Sequence, residues 1–162
     1  MNRTLARPRT SAHVLALLAA LALLGAPAPA AGQQTCSIAS ATALSFGAYD
    51  PLAAAALDST SQLVYRCPPS PQIRISLDAG GAGAFTMRAM RRGADVLLYN
   101  LYLDPARTIV WGDGTGGSSI GPQVTVKGAG GTVTAYVFGR MPAGQDPAPG
   151  TYADTIRVTF DL

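Results

Sequence analysis

The sequence predicts an all-β domain built as a sandwich or a barrel. Its 18 glycines and 12 prolines separate short apolar runs at the spacing typical of such folds. Near the carboxy terminus polar and apolar residues alternate, which places Ile156, Val158, Phe160 and Leu162 on one face with the two-residue period of a half-buried strand. After the amino-terminal segment, no stretch repeats apolar residues at helical spacing. Residues 31–162 are enough for one domain with one hydrophobic core.

Residues 1–30 are predicted to be a signal peptide. Three arginines precede an Ala/Leu-rich run at residues 14–24, which is too short to span a bilayer comfortably, and Ala28-Pro29-Ala30 supplies the small residues of a cleavage site. No second hydrophobic span follows in the sequence. We therefore expect a mature chain, residues 31–162, that has no membrane span and is released into the periplasm.

Composition excludes most functional classes for the mature chain. Removing the three arginines of the signal leaves nine Lys and Arg against nine acids, all Asp, so the chain is formally neutral and nucleic-acid binding is not expected. The only histidine, His13, lies in the signal. Without histidine there is no Ser-His-Asp or Cys-His pair and no ordinary zinc site. We expect no catalytic residues, no metal and no cofactor.

Cys36 and Cys67 are the only cysteines, and both lie in the exported part. Because the periplasm is oxidising, a disulfide between them is expected. Closing a loop of about thirty residues would stabilise the fold by roughly 3 to 4 kcal/mol on the chain-entropy model. Two buried free thiols are the alternative.

Nine segments are predicted to be strands, because each is a short run rich in apolar, β-branched or aromatic residues and bounded by turn residues. In chain order they are residues 36–39, 43–46, 62–67, 72–77, 85–90, 96–103, 124–126, 133–139 and 154–162. Residues 96–103 are apolar at both odd and even positions, which predicts a central strand covered on both faces. The Ala-rich stretch 52–57 is too short for more than about one turn of helix. Two longer loops are predicted at 104–121 and 141–150.

The aromatic residues raise the question of a binding surface. Tyr99, Tyr102, Tyr136 and Phe138 lie within strand patterns, which favours core or sheet-face positions over a sugar platform. Trp111 stands at the mouth of a Gly-rich loop. It is a candidate for an exposed surface contact, with the alternative that the indole folds back onto the core.

Several motifs, in this order along the chain, resemble those of the spore coat protein U domain family. They are Cys36, Leu44-Ser45-Phe46-Gly47-Ala48-Tyr49, Cys67, Tyr99-Asn100-Leu101-Tyr102-Leu103-Asp104, Trp111-Gly112-Asp113-Gly114, Gly139-Arg140-Met141-Pro142-Ala143-Gly144-Gln145 and the final strand from Gly150. The family includes subunits of Csu-type, archaic chaperone-usher pili. The similarity covers residues 36–162.

The resemblance implies an immunoglobulin-like sandwich that lacks its last strand. In such families a periplasmic chaperone, and later a neighbouring subunit delivered by an outer-membrane usher, lends the missing strand by β-strand addition. The chain would then pass from the periplasm to the cell surface. The implied acceptor groove has a floor formed by Leu44, Phe46, Ile156, Val158, Phe160 and Leu162.

One departure from the family concerns the segment that would be donated to a neighbour. Only Ala31-Gly32-Gln33-Gln34-Thr35 separates the predicted cleavage site from Cys36, and this segment is short and polar. We therefore expect a subunit that accepts a strand but donates none, placed at a pilus tip or ending a fibre. The alternatives are a monomeric coat or matrix protein, and a carbohydrate-binding module.

Overall fold

The computed structural model describes residues 35–121, 124–126 and 131–161. The predicted signal peptide, residues 31–34 and Leu162 lie outside the described residues. In this described part, no helix has the length and apolar character needed to cross a membrane.

The described chain forms two antiparallel sheets. The strands are β1 (Ser37–Ala41), β2 (Leu57–Cys67), β3 (Ser70–Leu77), β4 (Arg88–Arg92), β5 (Asp95–Tyr102), β6 (Val124–Val126), β7 (Gly131–Met141) and β8 (Val158–Asp161), with a 3-10 turn at Gly80–Ala82. The first sheet has the order β1-β2-β7-β5-β4 and the second the order β6-β3-β8. The predicted all-β class is confirmed.

The core lies between the two sheets and is built from the inward-facing positions of their strands. Its buried members include Leu63 and Tyr65 of β2, Ile73, Ile75 and Leu77 of β3, and Leu97, Tyr99 and Leu101 of β5. The two-residue period of the sequence thus places these side chains in the interior.

Two of the nine predicted strands differ most from the structure, and in addition β4 begins three residues later than predicted, at Arg88, and β2 five residues earlier, at Leu57. Residues 43–46 form no strand, although their polar and apolar residues alternate as in a strand. The last predicted strand begins at Val158 rather than at residue 154, because the chain before it pairs elsewhere: the Ala153 N–H and C=O both bond to Arg91 of β4. The chain therefore leaves one sheet and joins the other between Ala153 and Val158.

Trp111 is not a surface contact, which corrects one of the two possibilities left by the sequence. The side chain is fully buried, with 0% of its surface exposed. Its indole N–H donates to the Ile75 carbonyl at 2.9 Å, so both the apolar ring and its polar atom are satisfied inside the fold. A Cβ at Gly121 would lie 2.8 Å or less from the ring, so only glycine leaves room for the indole here.

The prediction that β5 is covered on both faces is correct for only half of the strand. Asn100 is buried on the outer face because its side-chain N–H group donates to the carbonyls of Phe85 and Thr86, whose loop covers it. Val96 and Leu98 are exposed. At Leu98 a side chain replaces the neighbouring strand: the Gln145 amide accepts from the Leu98 N–H at 2.6 Å and donates to its carbonyl at 2.9 Å.

Arg88 is a buried cation that the strand pattern did not identify. None of its surface is exposed. Its guanidinium donates to the Asp78 carbonyl at 2.8 Å, the Trp111 carbonyl at 2.7 Å and the Asn100 side-chain oxygen at 2.7 Å. The Phe85 ring lies 5.3 Å from it. One side chain on β4 therefore holds together β5 and the loops that follow β3 and β5.

The predicted disulfide is confirmed and joins β1 to β2. Cys36 and Cys67 are bonded, with their Cα atoms 4.2 Å apart, and the link closes a sequence separation of 31 residues. It lies beside the ladder in which Ser37 faces Arg66. All five residues of β1 are exposed, so the disulfide and the main-chain ladder are what attach this strand to the sheet.

Candidate functional site

An apolar cavity of about 270 Å³ separates the end of β1 from the chain that leads into β8. One wall is formed by Ala41, Ala43 and Leu44, and the opposite wall by Ile156 and Val158. Its floor comes from buried and partly buried residues of the two sheets, namely Leu63, Leu77, Leu101 and Val137. This gap in the sandwich therefore lies between the segments next to its first and last strands.

A second cavity, of about 680 Å³, continues the first one. It is lined by residues 43–49 on one side and 147–154 on the other, with Met90, Leu97 and Met141 between them. Ala43, Leu44, Met90 and Asp154 line both cavities. The two volumes thus form one groove, which we call the β1–β8 groove.

The wall formed by residues 43–46 is held by side chains rather than by a strand ladder. Leu44 is partly buried and Phe46 is buried, and both rest on Gly139 of β7. A Cβ at Gly139 would lie 2.7 Å from each of them. The Phe46 ring also meets the Tyr99 ring edge to face at 5.9 Å. Because the backbone at Gly139 must be approached closely, the wall depends on a residue without a side chain.

Hydrogen bonding gives the direction of the main-chain groups of β8. The Asp78 N–H donates to the Arg157 carbonyl at 3.0 Å, which makes this a hydrogen-bonded pair of the β3–β8 ladder. Hydrogen-bonded and non-hydrogen-bonded pairs alternate along an antiparallel ladder. Val158 and Phe160 are therefore non-hydrogen-bonded members, and their N–H and C=O groups point away from β3.

The residues opposite them on β3 agree with this assignment. The Leu77 N–H donates to the Gly112 carbonyl at 3.3 Å, and the Ile75 carbonyl accepts from the Gly121 N–H at 2.9 Å. Both residues thus bond on the side of β3 that is remote from β8. Among the described residues, no strand pairs with the other edge of β8.

The edge of β1 that faces away from β2 also has main-chain groups that point away from the neighbouring strand. The Thr42 N–H donates to the Gln62 carbonyl at 3.0 Å, so the preceding residue, Ala41, directs its main-chain groups away from β2. Ala41 lines the groove. Within the described ranges β1 pairs with β2 alone.

The structure brings together part of the set of floor residues predicted from the sequence. Leu44, Ile156 and Val158 line the smaller cavity, and Phe46 lines the larger one. Phe160 lies on the inward face beyond the cavities, where its ring contacts Tyr65 at 5.1 Å. Leu162 lies outside the described residues. The inward positions Ile156, Val158 and Phe160 are only partly buried, whereas the positions between them are exposed.

Asp154 lies where the two cavities meet, and the sequence pattern did not identify it as a groove residue. Its carboxylate accepts from the Tyr99 hydroxyl at 2.7 Å, the Gly81 N–H at 2.9 Å and the Thr155 N–H at 2.8 Å. Burial, together with the bond to Asp154, raises the pKa of Tyr99, so this hydroxyl remains a donor. One feature of the sequence could have identified it: Asp154 lies two residues before Ile156 and four before Val158, so the two-residue period places its carboxylate on their face.

The described residues contain no group of three or more His, Cys, Asp or Glu side chains placed to hold a metal ion. The groove therefore offers apolar surface, main-chain hydrogen-bonding groups at both edges and one satisfied carboxylate. Such an arrangement suits an extended peptide that adds a strand.

Comparison with known proteins gives a family match over most of the chain. The sequence model of the Spore Coat Protein U domain matches residues 21–159. The protein named Protein U from Myxococcus xanthus is 35% identical in an alignment 141 residues long, which covers 77% of this chain and 76% of that protein.

Two solved structures share the fold. One is from the CsuC-CsuE chaperone-tip adhesion subunit pre-assembly complex of the archaic chaperone-usher Csu pili of Acinetobacter baumannii, with a TM-score of 0.52 and 24% identity. The match covers 80% of this chain and 40% of that one. The other is a chaperone-usher pilus whose structure concerns rod uncoiling, with a TM-score of 0.50, 12% identity and 99% coverage of both chains. The predicted immunoglobulin-like fold is thus confirmed as that of chaperone-usher pilus subunits.

Proposed function

Because the chain belongs to the Spore Coat Protein U domain family, we propose that it is a structural subunit of a chaperone-usher pilus or of a related cell-surface coat. Its proposed partners are a periplasmic chaperone, an outer-membrane usher and neighbouring subunits. Each strand-donating partner would place a β-strand in the β1–β8 groove. The observation that carries the proposal is the apolar groove whose two edges, at Ala41 and at Val158 and Phe160, present main-chain groups that pair with no other strand of the described residues.

For a donated strand, the gain from apolar burial and the cost of ordering the donor nearly cancel. A donor with four or five inward apolar side chains would gain roughly 6 to 15 kcal/mol from burial, at about 1.5 to 3 kcal/mol each. Ordering about ten donor residues costs roughly the same amount. The net affinity then depends on ladder hydrogen bonds to both edges and on the prior rigidity of the groove. Here Gly139, the disulfide and the Asp154 bonds supply that rigidity.

Substitution of Val158 by aspartate tests the proposal. The chain is expressed in a periplasm with and without its candidate chaperone, and the yield and co-purification are measured. We expect a one-to-one complex for the unchanged chain and its loss for Val158→Asp, because a charge would be buried without a partner. Thr159→Asp is the matched control, since Thr159 is the next residue on the same strand and is exposed.

The Thr159→Asp control shows whether a loss of the complex is specific to the groove. If Thr159→Asp also abolishes the complex, the strand tolerates no acidic residue and the groove is not implicated. A stable monomer that never co-purifies with a chaperone would contradict the proposal and favour a self-contained coat or matrix protein.

We further propose that the subunit accepts a strand without donating one, which fits a tip or terminating position. The support is the short polar sequence between the predicted cleavage site and Cys36. We expect the purified mature protein, once released from its chaperone, to form no head-to-tail polymers in size-exclusion chromatography with light scattering. Polymers that disappear when residues 31–35 are deleted would contradict this expectation, because they would show donation from that segment.

A further inference from the structure

Two aromatic rings lie side by side on the outer face of the five-stranded sheet, remote from the β1–β8 groove. Tyr136 and Phe138 of β7 stack with ring centroids 6.5 Å apart and an angle of 28° between planes. Tyr136 is 53% exposed, a large fraction for a ring in a central strand. The strand is held on one side by β2 along its whole length, so this ring pair stands on a rigid support.

Polar side chains with free hydrogen-bonding capacity flank the rings. Gln62 and Thr60 of β2 stand directly opposite Tyr136 and Phe138, and cross-strand neighbours share a face. Within the part of the chain that the structure describes, the side chains of Gln62, Thr60 and Tyr136 make no hydrogen bond. A protein contact usually centres on a larger apolar patch with a polar rim, whereas here amide and hydroxyl groups adjoin the rings themselves.

The same face carries excess positive charge. Arg107 has a left-handed backbone, with φ of 59°, and its guanidinium lies 6.0 Å from the Phe138 ring centre and 3.2 Å from Asp58. Arg140 bonds both oxygens of Asp58, at 2.8 and 2.9 Å, and this hydrogen bonding lowers the pKa of Asp58. Arg66 lies further along β2, opposite Thr132.

Arg66, Arg107 and Arg140 thus stand near Asp58 on this face, whereas residues 31–162 as a whole carry nine Lys and Arg against nine Asp. The positive charge is therefore local. The stacked aromatic rings, the polar groups beside them and this positive charge together point to a ligand that carries negative charge and hydroxyl-bearing rings with an apolar face.

We propose that this face binds an acidic polysaccharide. Sugar rings stack on Tyr136 and Phe138, hydroxyl groups bond to Gln62 and Thr60, and carboxylates of the uronic acid type are attracted to Arg66 and Arg140. The site is separate from the strand-accepting groove and does not rest on the function proposed for it.

Affinity electrophoresis in native gels tests the proposal with the exported protein, kept with its chaperone where the two co-purify. The probes are polygalacturonate and the same polymer with its carboxylates methyl-esterified. We expect retardation by polygalacturonate and weaker retardation by the ester. Tyr136→Ala should weaken retention by about three- to tenfold, the value of one stacked aromatic contact. Tyr136→Phe should keep it.

Ile109→Ala is the matched control, because Ile109 is an exposed apolar residue in a loop, and it should leave retention unchanged. Arg66→Ala should reduce the difference between the two polymers. The proposal is overturned if neither polymer retards the protein, if both do so equally, or if Tyr136→Ala has no effect. Tyr136-dependent self-association without polysaccharide binding, or preferred binding of single-stranded oligothymidylate, would also overturn it and identify a protein or nucleic-acid surface.

Discussion

Replacing Arg88 with alanine is expected to lower the free energy of unfolding by about 3 to 5 kcal/mol, the cost of breaking a buried charged network. The change would leave the carbonyls of Asp78 and Trp111 without their donor and would remove one of the two donors of the Asn100 side-chain oxygen, in a region closed to water. Burial lowers the pKa of Arg88, yet the group is surrounded by acceptors that require its protons. Urea denaturation followed by tryptophan fluorescence measures the effect, since Trp111 lies in contact with the site.

Two further variants make this test specific. Arg91→Ala on the same strand should cost less than about 1 kcal/mol, because the Arg91 side chain is exposed. Arg88→Lys should be nearly as damaging as alanine, since a single ammonium cannot reproduce the planar fork that reaches three acceptors. If Arg88→Lys retained the stability of the unchanged protein, the positive charge alone would account for the stabilisation. The hydrogen bonds from Arg88 to its three acceptors would then not be the cause.

Reducing the disulfide, or replacing Cys36 and Cys67 with serine, is expected to cost about 3 kcal/mol of stability. The effect on the groove should be larger than this value suggests. All five residues of β1 are exposed, so apolar burial contributes little to its attachment. Released from Cys67, β1 would fray and one edge of the β1–β8 groove would be lost.

Thermal denaturation and chaperone co-purification, each with and without dithiothreitol, check this prediction. We expect a lower melting temperature and a loss of co-purification on reduction. A control chaperone-subunit pair without cysteines should be unaffected by the same reagent. Retention of the complex by the reduced protein would show that the ladder to β2 alone positions β1.

The final strand shows what the sequence could and could not predict. Its alternation correctly assigned Ile156, Val158 and Phe160 to the inward face, because side-chain direction follows the two-residue period of the extended chain. The beginning of the strand was wrong, because it depends on the hydrogen-bond partner. Ala153 pairs with β4 and Val158 with β3, and no local pattern encodes that change of neighbour.

The groove wall gives a second example. Residues 43–46 alternate in the manner of a strand, yet the structure attaches them by Leu44 and Phe46 packing on Gly139. That contact joins positions almost a hundred residues apart in sequence. The family resemblance identified Leu44 and Phe46 as groove residues, whereas periodicity alone assigned the wrong local structure to them.

Buried polar groups were the hardest to predict. Arg88 occupies a strand position where an arginine ordinarily faces solvent, and its burial depends on acceptors supplied by three distant segments. Asp154 likewise depends on Tyr99 and Gly81. The sequence leaves two possibilities for Trp111, because the burial of its indole depends on Gly121 and on the Ile75 carbonyl.

The Gln145 side chain has a consequence for the behaviour of the protein at high concentration. Exposed main-chain groups beside the exposed apolar side chains of Val96 and Leu98 would recruit strands from other copies and lead to aggregation. The Gln145 amide occupies both hydrogen-bonding positions of Leu98. Because a side chain of the same chain occupies these positions, intermolecular β-pairing at this corner is suppressed by the fold itself.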